Sequence, residues 1–325
     1  MHRFVIASIA VFALPLAALA DPLPSWKAGA AKDSIIAFVE TVTDPQSENY
    51  VPMSDRIAVF DNDGTLWAEQ PLTFQLAYAL DMVRQRAEDD PSILGSEALS
   101  AAANGDFAAI REAGSEAILE VLNVSHANVT PTAFMASVHE WLTTTEHPTS
   151  GMVYADMTYQ PMTELLRYMR DEGFSTYIVS GGSLFFMRAI TEEIYNIPPS
   201  QIIGSIGNME YSVVDGEPTL TKQSGALFFD RSAGKPVGIM NHIGQRPIFA
   251  AGNTDGDFQM LEWVTAGEGA RFGMLIHHTD GEREFAYDRE SAVGSLNRGL
   301  DEADTRGWLL VDMAKDWRRV WSGAE

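Results

Sequence analysis

Ile57-Ala58-Val59-Phe60-Asp61-Asn62-Asp63-Gly64-Thr65 runs four apolar residues straight into two carboxylates spaced one residue apart, and then reaches a glycine. An apolar run this short, closed by a turn signal, reads as a strand buried on both faces of a sheet. Asp61 and Asp63 then stand at the carboxyl end of a central strand, where open α/β sheets place their ligands. Two carboxylates so close repel one another unless a cation lies between them. The pattern suits a hard divalent ion, Mg²⁺, held beside a nucleophilic carboxylate. An acidic Asp-Gly turn is the plainer reading of these residues alone.

Three later segments repeat the theme in order. Tyr177-Ile178-Val179-Ser180-Gly181-Gly182 ends an apolar strand in a hydroxyl and two glycines. Ser180 and the unhindered N–H groups at Gly181 can hold a phosphate oxygen. Gly234-Lys235-Pro236 puts a lysine just before a first-turn proline. Lys235 there can point inward and neutralise a phosphoryl oxygen. Lys222 competes for that role, but it follows a hairpin and has less reason to point inward. Finally, Ala250-Ala251-Gly252-Asn253-Thr254-Asp255-Gly256-Asp257 ends a strand in oxygen donors that can complete an oxygen-only metal shell. It lacks the length and terminal glutamate of a calcium-binding loop.

Between these segments, the chain alternates strand and helix. Helical spacing marks 31–41, 72–86, 108–122, 132–142 and 160–172, and strands are predicted at 57–61, 174–179, 247–251 and 272–276. A hairpin over 209–220 turns at Asp215-Gly216. The fold class is a doubly wound parallel α/β sheet. The core comprises 21–66 and 151–325, with a helical insertion at 67–150 after the first strand.

Composition bounds the function. The 325 residues are enough for one large α/β domain with an insertion, and 46% are hydrophobic, as a full core requires. The formal net charge of −23 argues against nucleic acid or an anionic membrane surface as partner. With no cysteine, disulfides and thiolate metal sites are excluded. Met1-His2-Arg3, an apolar run to Leu19 and Ala18-Leu19-Ala20 read as a cleaved export signal over 1–20, with Asp21 the mature start. A periplasmic or secreted protein is expected, without a membrane span after cleavage and with no protein partner evident.

Taken together and in order, Asp61-x-Asp63-Gly64-Thr65, Ser180, Lys235 and Gly252-Asn253-x-x-x-Asp257 resemble the motifs of the haloacid dehalogenase superfamily of phosphohydrolases, over residues 57 to about 276. Exported, phosphoserine-phosphatase-like and phosphorylcholine-phosphatase-like members are the most similar. The resemblance implies a Rossmann-like core with a helical cap, and a small phosphorylated substrate. It implies that Asp61 attacks phosphorus to form an aspartyl-phosphate, while Asp63 protonates the leaving alkoxide and later activates water. Asp61, Asp63, Asn253 and Asp257 would hold Mg²⁺, and Ser180, Gly181 and Lys235 the phosphate. One position departs from the pattern. The family usually has an aspartate where this chain has Asn253, so either the amide ligates without adding charge, or Asp255 or Asp257 substitutes. An aspartate at 253 is then expected to bind the metal more tightly.

Several rival readings bear on the site. A non-catalytic periplasmic phosphoester-binding protein would have less reason to keep both Asp61 and Asp63. Ser232-Ala233-Gly234-Lys235 matches the S-x-x-K of penicillin-recognising enzymes, without the companion motifs. His277-His278 is adjacent on a strand, so the two rings face opposite ways. From the insertion, Trp67, Glu69, Gln70, Phe74, Gln75 and Tyr78 are candidates to face the substrate. An aromatic among them could hold a quaternary ammonium.

Overall fold

The computed structural model describes residues 21–323. The leader expected at 1–20 lies outside them. Helix α1 (Ala30–Thr43) leads into strand β1 (Ile57–Phe60). A run of helices follows: α2 (Phe74–Asp89), α3 (Glu97–Ala103), α4 (Phe107–Ala113), α5 (Ser115–His126) and α6 (Pro131–Thr144). Next come α7 (Gln160–Asp171), β2 (Ser175–Ser183), the short α8 (Leu184–Arg188) and α9 (Thr191–Tyr195), β3 (Ile202–Val214) and β4 (Glu217–Phe228). The last third holds α10 (Gly234–Ile243), β5 (Phe249–Gly252), α11 (Phe258–Thr265), β6 (Phe272–His277), α12 (Arg298–Glu302), β7 (Leu309–Asp312) and α13 (Met313–Asp316).

The strands form one sheet in the order β4-β3-β2-β1-β5-β6-β7. β1 is central and pairs in parallel with β2 and β5. The alternation of side chains along a strand divides the core into two layers. Ala58 and Phe60 share one face with Ile178, Phe249, Ala251 and Ile276, covered by Ile35, Phe38 and Val39 of α1 and Leu165, Leu166 and Met169 of α7. Val59 turns the other way, with Val179, Ala250 and Leu275, under Ile239 of α10 and Phe258, Leu261 and Val264 of α11. Helices therefore cover both faces of a mostly parallel sheet, which is why β1 is apolar at every position.

The hairpin forms as expected around Asp215-Gly216, whose φ values of 52° and 88° suit a tight turn between twisted strands. It is longer than the sequence pattern showed, because β3 starts earlier. Ile202–Gly204 pair in parallel with β2, and from Ile206 the same strand runs antiparallel to β4. The edge strand β7 was visible in the sequence only as the apolar patch Trp308–Val311. The helices after β1 divide by packing. Ala79, Leu80, Val83, Leu99, Ile110 and Val121 of α2–α5 form a small core of their own, whereas Phe134, Val138, Trp141 and Leu142 of α6 join the main core. Among the described residues, no helix is long and apolar enough to cross a membrane.

Candidate active site

Because β1, β2 and β5 are parallel, their carboxyl ends fall on one edge of the sheet, and all four sequence segments meet there. The Lys235 ammonium is the hub. Its Nζ donates to Asp61 Oδ1 at 2.5 Å, to Asp257 Oδ1 at 2.5 Å and to the Val179 carbonyl at 2.8 Å. One side chain from the start of α10 thereby ties together the ends of β1, β2 and the β5 loop. Lys235 is 3% exposed, so these contacts are made out of water, where charge pairing is strong. The Ser-x-x-Lys spacing has no such consequence: Ser232 meets Lys235 through its backbone carbonyl, which accepts the Lys235 backbone N–H at 3.2 Å, and is not among the partners of the ammonium.

Asp63 lies on the same side of the turn. Its Oδ1 accepts the indole N–H of Trp67 at 2.9 Å. Trp67 is itself locked against Phe74, with ring centroids 4.8 Å apart. Ser180 is buried, and its hydroxyl accepts the Gly182 N–H at 3.0 Å. Gly181 and Gly182 leave the backbone bare where the cavity opens beside Asp61 and Asp63.

The β5 loop assigns its three candidates to different tasks. Asp255 faces away, accepting the N–H groups of Asn297, Arg298 and Gly299 at the start of α12. Asp257, expected among the metal ligands, has both oxygens engaged: Oδ1 with Lys235, and Oδ2 with the N–H groups of Asn253 and Thr254 at 3.0 Å each. A Cβ on Gly252 would stand 2.5 Å from that side chain, which accounts for the glycine there. Asn253 is left to bridge the turn after β1 and the start of the insertion. Its Oδ1 accepts the Thr65 hydroxyl at 3.2 Å, and its amide N–H donates to Glu69 Oε1 at 2.6 Å. Gly64, at φ 72°, lets the chain turn so close to this pair that a Cβ would sit 2.0 Å from Asn253 Nδ2.

Burial governs the charges. It pushes the Asp61 carboxyl up to about 8, helped by neighbouring Asp257 and opposed by Lys235. Asp63 is raised by burial against the pull of the Trp67 N–H. Glu69 is raised well above the carboxylate range by burial and then by Asp63. Burial would lower Lys235, but Asp257 and Asp61 outweigh it and its pKa ends above that of an ordinary lysine. Four buried carboxyl groups, Asp61, Asp63, Glu69 and Asp257, thus line the reacting end of the cavity, and the Lys235 ammonium pairs with two of them, Asp61 and Asp257. Asp61 Oδ2 accepts no hydrogen bond from a described residue. Such a donor set, short of positive charge, fits a hard divalent cation. Among the described residues no three carboxylates or imidazoles converge on one metal-sized point, so a divalent cation here would need a neutral oxygen, such as the Asn253 amide oxygen, beside the carboxylates.

The candidates from the insertion separate. Gln75 reaches the site, accepting the Ser183 N–H at 2.7 Å. Trp67 acts through Asp63 and Glu69 through Asn253. Phe74 and Tyr78 are buried in the core, and Gln70 bonds the Val293 carbonyl instead. The two adjacent histidines diverge. His278 is buried with Nε2 2.8 Å from the Gly64 carbonyl, while His277 contacts Asp288. His278, with Glu284 and Tyr287 from the following loop, braces the Asp61–Thr65 turn from below. Sequence reasoning missed these braces, which lie far along the chain in a segment without periodicity.

A β-strand ending in two carboxylates, bridged by a buried lysine to a second acidic loop, defines a hydrolase of the haloacid dehalogenase type. The chain belongs to the haloacid dehalogenase-like hydrolases, whose sequence pattern matches residues 58–262. Among solved structures, it is similar to a functionally unknown protein from Anaerococcus prevotii, with 14% identity, 77% of this chain and 86% of that chain covered and a TM-score of 0.51. It is also similar to a protein of unknown function from Bordetella pertussis (18% identity, 79% and 98% covered, TM-score 0.46). A third likeness is a phosphoserine phosphohydrolase-like protein from Francisella tularensis (16% identity, 77% and 98% covered, TM-score 0.38). No curated protein sequence matches this chain.

Proposed function

We propose that the protein is an exported, Mg²⁺-dependent phosphomonoester hydrolase working through an aspartyl-phosphate on Asp61. The observation that carries this reading is the three-way anchoring of Lys235 on Asp61, Asp257 and the Val179 carbonyl. It leaves Asp61 Oδ2 as the oxygen without a partner among the described residues, at the cavity that Ser180 and Gly181 also line.

In the first half-reaction, Asp61 Oδ2 forms a bond to phosphorus and the ester P–O bond breaks. The departing alkoxide takes its proton from Asp63. Lys235 holds Asp61 in place and offsets negative charge on the transferring group. In the second half, Asp63 takes a proton from water, water oxygen attacks phosphorus and the bond to Asp61 breaks. Both halves reuse one acid/base group. Asp61, Asp63 and Asn253 would hold the divalent cation, which supplies charge that screens the phosphoryl oxygens from the nucleophile. Asp257 serves by fixing Lys235 and the Asn253 backbone.

Turnover of an aryl phosphate by the purified protein, required to depend on added Mg²⁺ and to vanish in Asp61→Asn, tests the reading. Full activity in Asp61→Asn would refute it. Export, with Asp21 as the mature start, is tested by amino-terminal sequencing of the secreted chain.

A further inference from the structure

The cavity that opens at Asp61 has a volume of about 580 Å³ and is lined at another point by Lys222 of β4. Contrary to the sequence expectation, this lysine points inward. It is 5% exposed, and its backbone is clamped to the loop before α6, through Lys222 N–H to the Val129 carbonyl at 2.8 Å and Asn128 N–H to the Lys222 carbonyl at 2.8 Å. The ammonium lies 4.8 Å from the centroid of Phe134 and 4.8 Å from that of Phe185. Among the described residues it has no carboxylate within ion-pair distance and no hydrogen-bond acceptor. In a chain with 45 acidic residues and 22 lysines and arginines, a buried cation without a counter-charge stands out. Two aromatic faces return only part of what the ammonium loses on leaving water.

Its place relative to the reacting end is fixed by contacts. Ser183 N–H donates to Gln75 Oε1 at 2.7 Å, and Gln75 Nε2 donates to His126 Nε2 at 3.1 Å. The His126 ring lies 4.7 Å from that of Phe134, over which Lys222 sits. Burial, then Lys222, hold His126 neutral, so it supplies no counter-charge. The acidic groups lining the cavity, Asp61, Asp63, Glu69 and Asp257, are all at the reacting end.

We propose that Lys222 binds a carboxylate on the alcohol part of the substrate, which makes the preferred substrates phosphomonoesters of small hydroxy acids. The inference rests on the phosphatase reading and narrows it. Phe134 and Phe185 already carry the ammonium of Lys222, so these rings are not free to hold a quaternary ammonium, and a cationic alcohol would meet like charge.

The test compares phosphoglycerate with glycerol phosphate, which have the same carbon skeleton and differ in carboxylate against hydroxymethyl, together with phosphocholine and an aryl phosphate. Wild type should show kcat/KM at least about tenfold higher for phosphoglycerate than for glycerol phosphate or phosphocholine, mostly through KM. Lys222→Met should bring the first ratio close to one, and Lys222→Arg should keep the preference. Aryl phosphate turnover without preference for phosphoglycerate in the wild type would overturn the Lys222 assignment alone, whatever the variants do. A preference that survives in Lys222→Met would overturn it as well. Failure to hydrolyse any of the four would overturn the phosphatase reading and this proposal with it.

Discussion

Asn253 donates its side-chain amide to Glu69 Oε1 at 2.6 Å, so the carboxylate missing from this loop stands one hydrogen bond away. Tyr287 holds the same oxygen through its hydroxyl at 2.9 Å. The contact alters what an aspartate at position 253 should do. Asn253→Asp would remove the amide donor and set a second carboxyl group against Glu69 where a hydrogen bond now exists, a cost on the order of 1–3 kcal/mol. The single variant should gain no Mg²⁺ affinity, whereas Asn253→Asp combined with Glu69→Gln should bind Mg²⁺ more tightly than wild type. Calorimetric titration of the metal decides this, and tighter binding in Asn253→Asp alone would show that Glu69 does not oppose the added charge.

Lys235→Met should affect both stability and chemistry. It leaves Asp61 and Asp257 buried without their cation, and breaking a buried pair in this way costs roughly 3–5 kcal/mol. Urea unfolding in the presence of chelator should show that loss, and aryl phosphate turnover should disappear. A variant with wild-type stability would mean that the three contacts of Lys235 contribute little to the fold.

Trp67→Phe keeps an aromatic ring against Phe74 and removes the N–H that orients Asp63. One hydrogen bond to a charged group corresponds to roughly tenfold in rate. A fall of about that size in kcat, with little change in melting temperature, is expected. Unchanged kcat would remove Trp67 from the positioning of Asp63.

Asp230 gives a pH test away from the metal-holding residues. Its carboxyl is fully buried, neither oxygen has a hydrogen-bond partner among the described residues, and burial pushes its pKa up to about 7, with Lys235 pulling the other way. The folded protein thus keeps a proton there that the unfolded chain gives up near pH 4. Between these values the native state binds more protons, so this group's contribution to stability falls as pH rises from about 4 to about 7. Asp230→Asn should melt higher than wild type at pH 8 and lose most of that advantage at pH 5. An equal difference at both pH values would contradict the burial argument.

Much of this site was legible from the chain because each of its motifs ends a buried strand. The apolar runs at 57–60 and 174–179 and the glycine-acid loops that follow carry their own punctuation, and parallel pairing brings their ends together. Lys235 could be placed because Pro236 marks a helix start. The braces were legible only as candidate positions at Trp67 and Glu69, not in what they hold. Trp67, Glu69, His278 and Tyr287 act through single hydrogen bonds across 4 to 218 residues of sequence separation, and no local periodicity announces such contacts. Lys222 was misjudged for a related reason. A strand of a mostly exposed hairpin gives no sign that one of its residues is drawn into the cavity by the backbone clamp at Asn128 and Val129. The double use of Asp257 was also hidden, since spacing alone does not distinguish a carboxylate that binds metal from one that holds a lysine.

The covalent intermediate is the central claim, and Asp63→Asn with an aryl phosphate isolates it. An aryl leaving group departs without needing a proton, so the first half-reaction should still proceed, while water is no longer activated for the second. Acid quenching followed by peptide mass spectrometry should then find one phosphoryl group on Asp61, with a burst of phenol stoichiometric with enzyme. Steady phosphate release from Asp63→Asn with Asp61 unmodified would contradict the account.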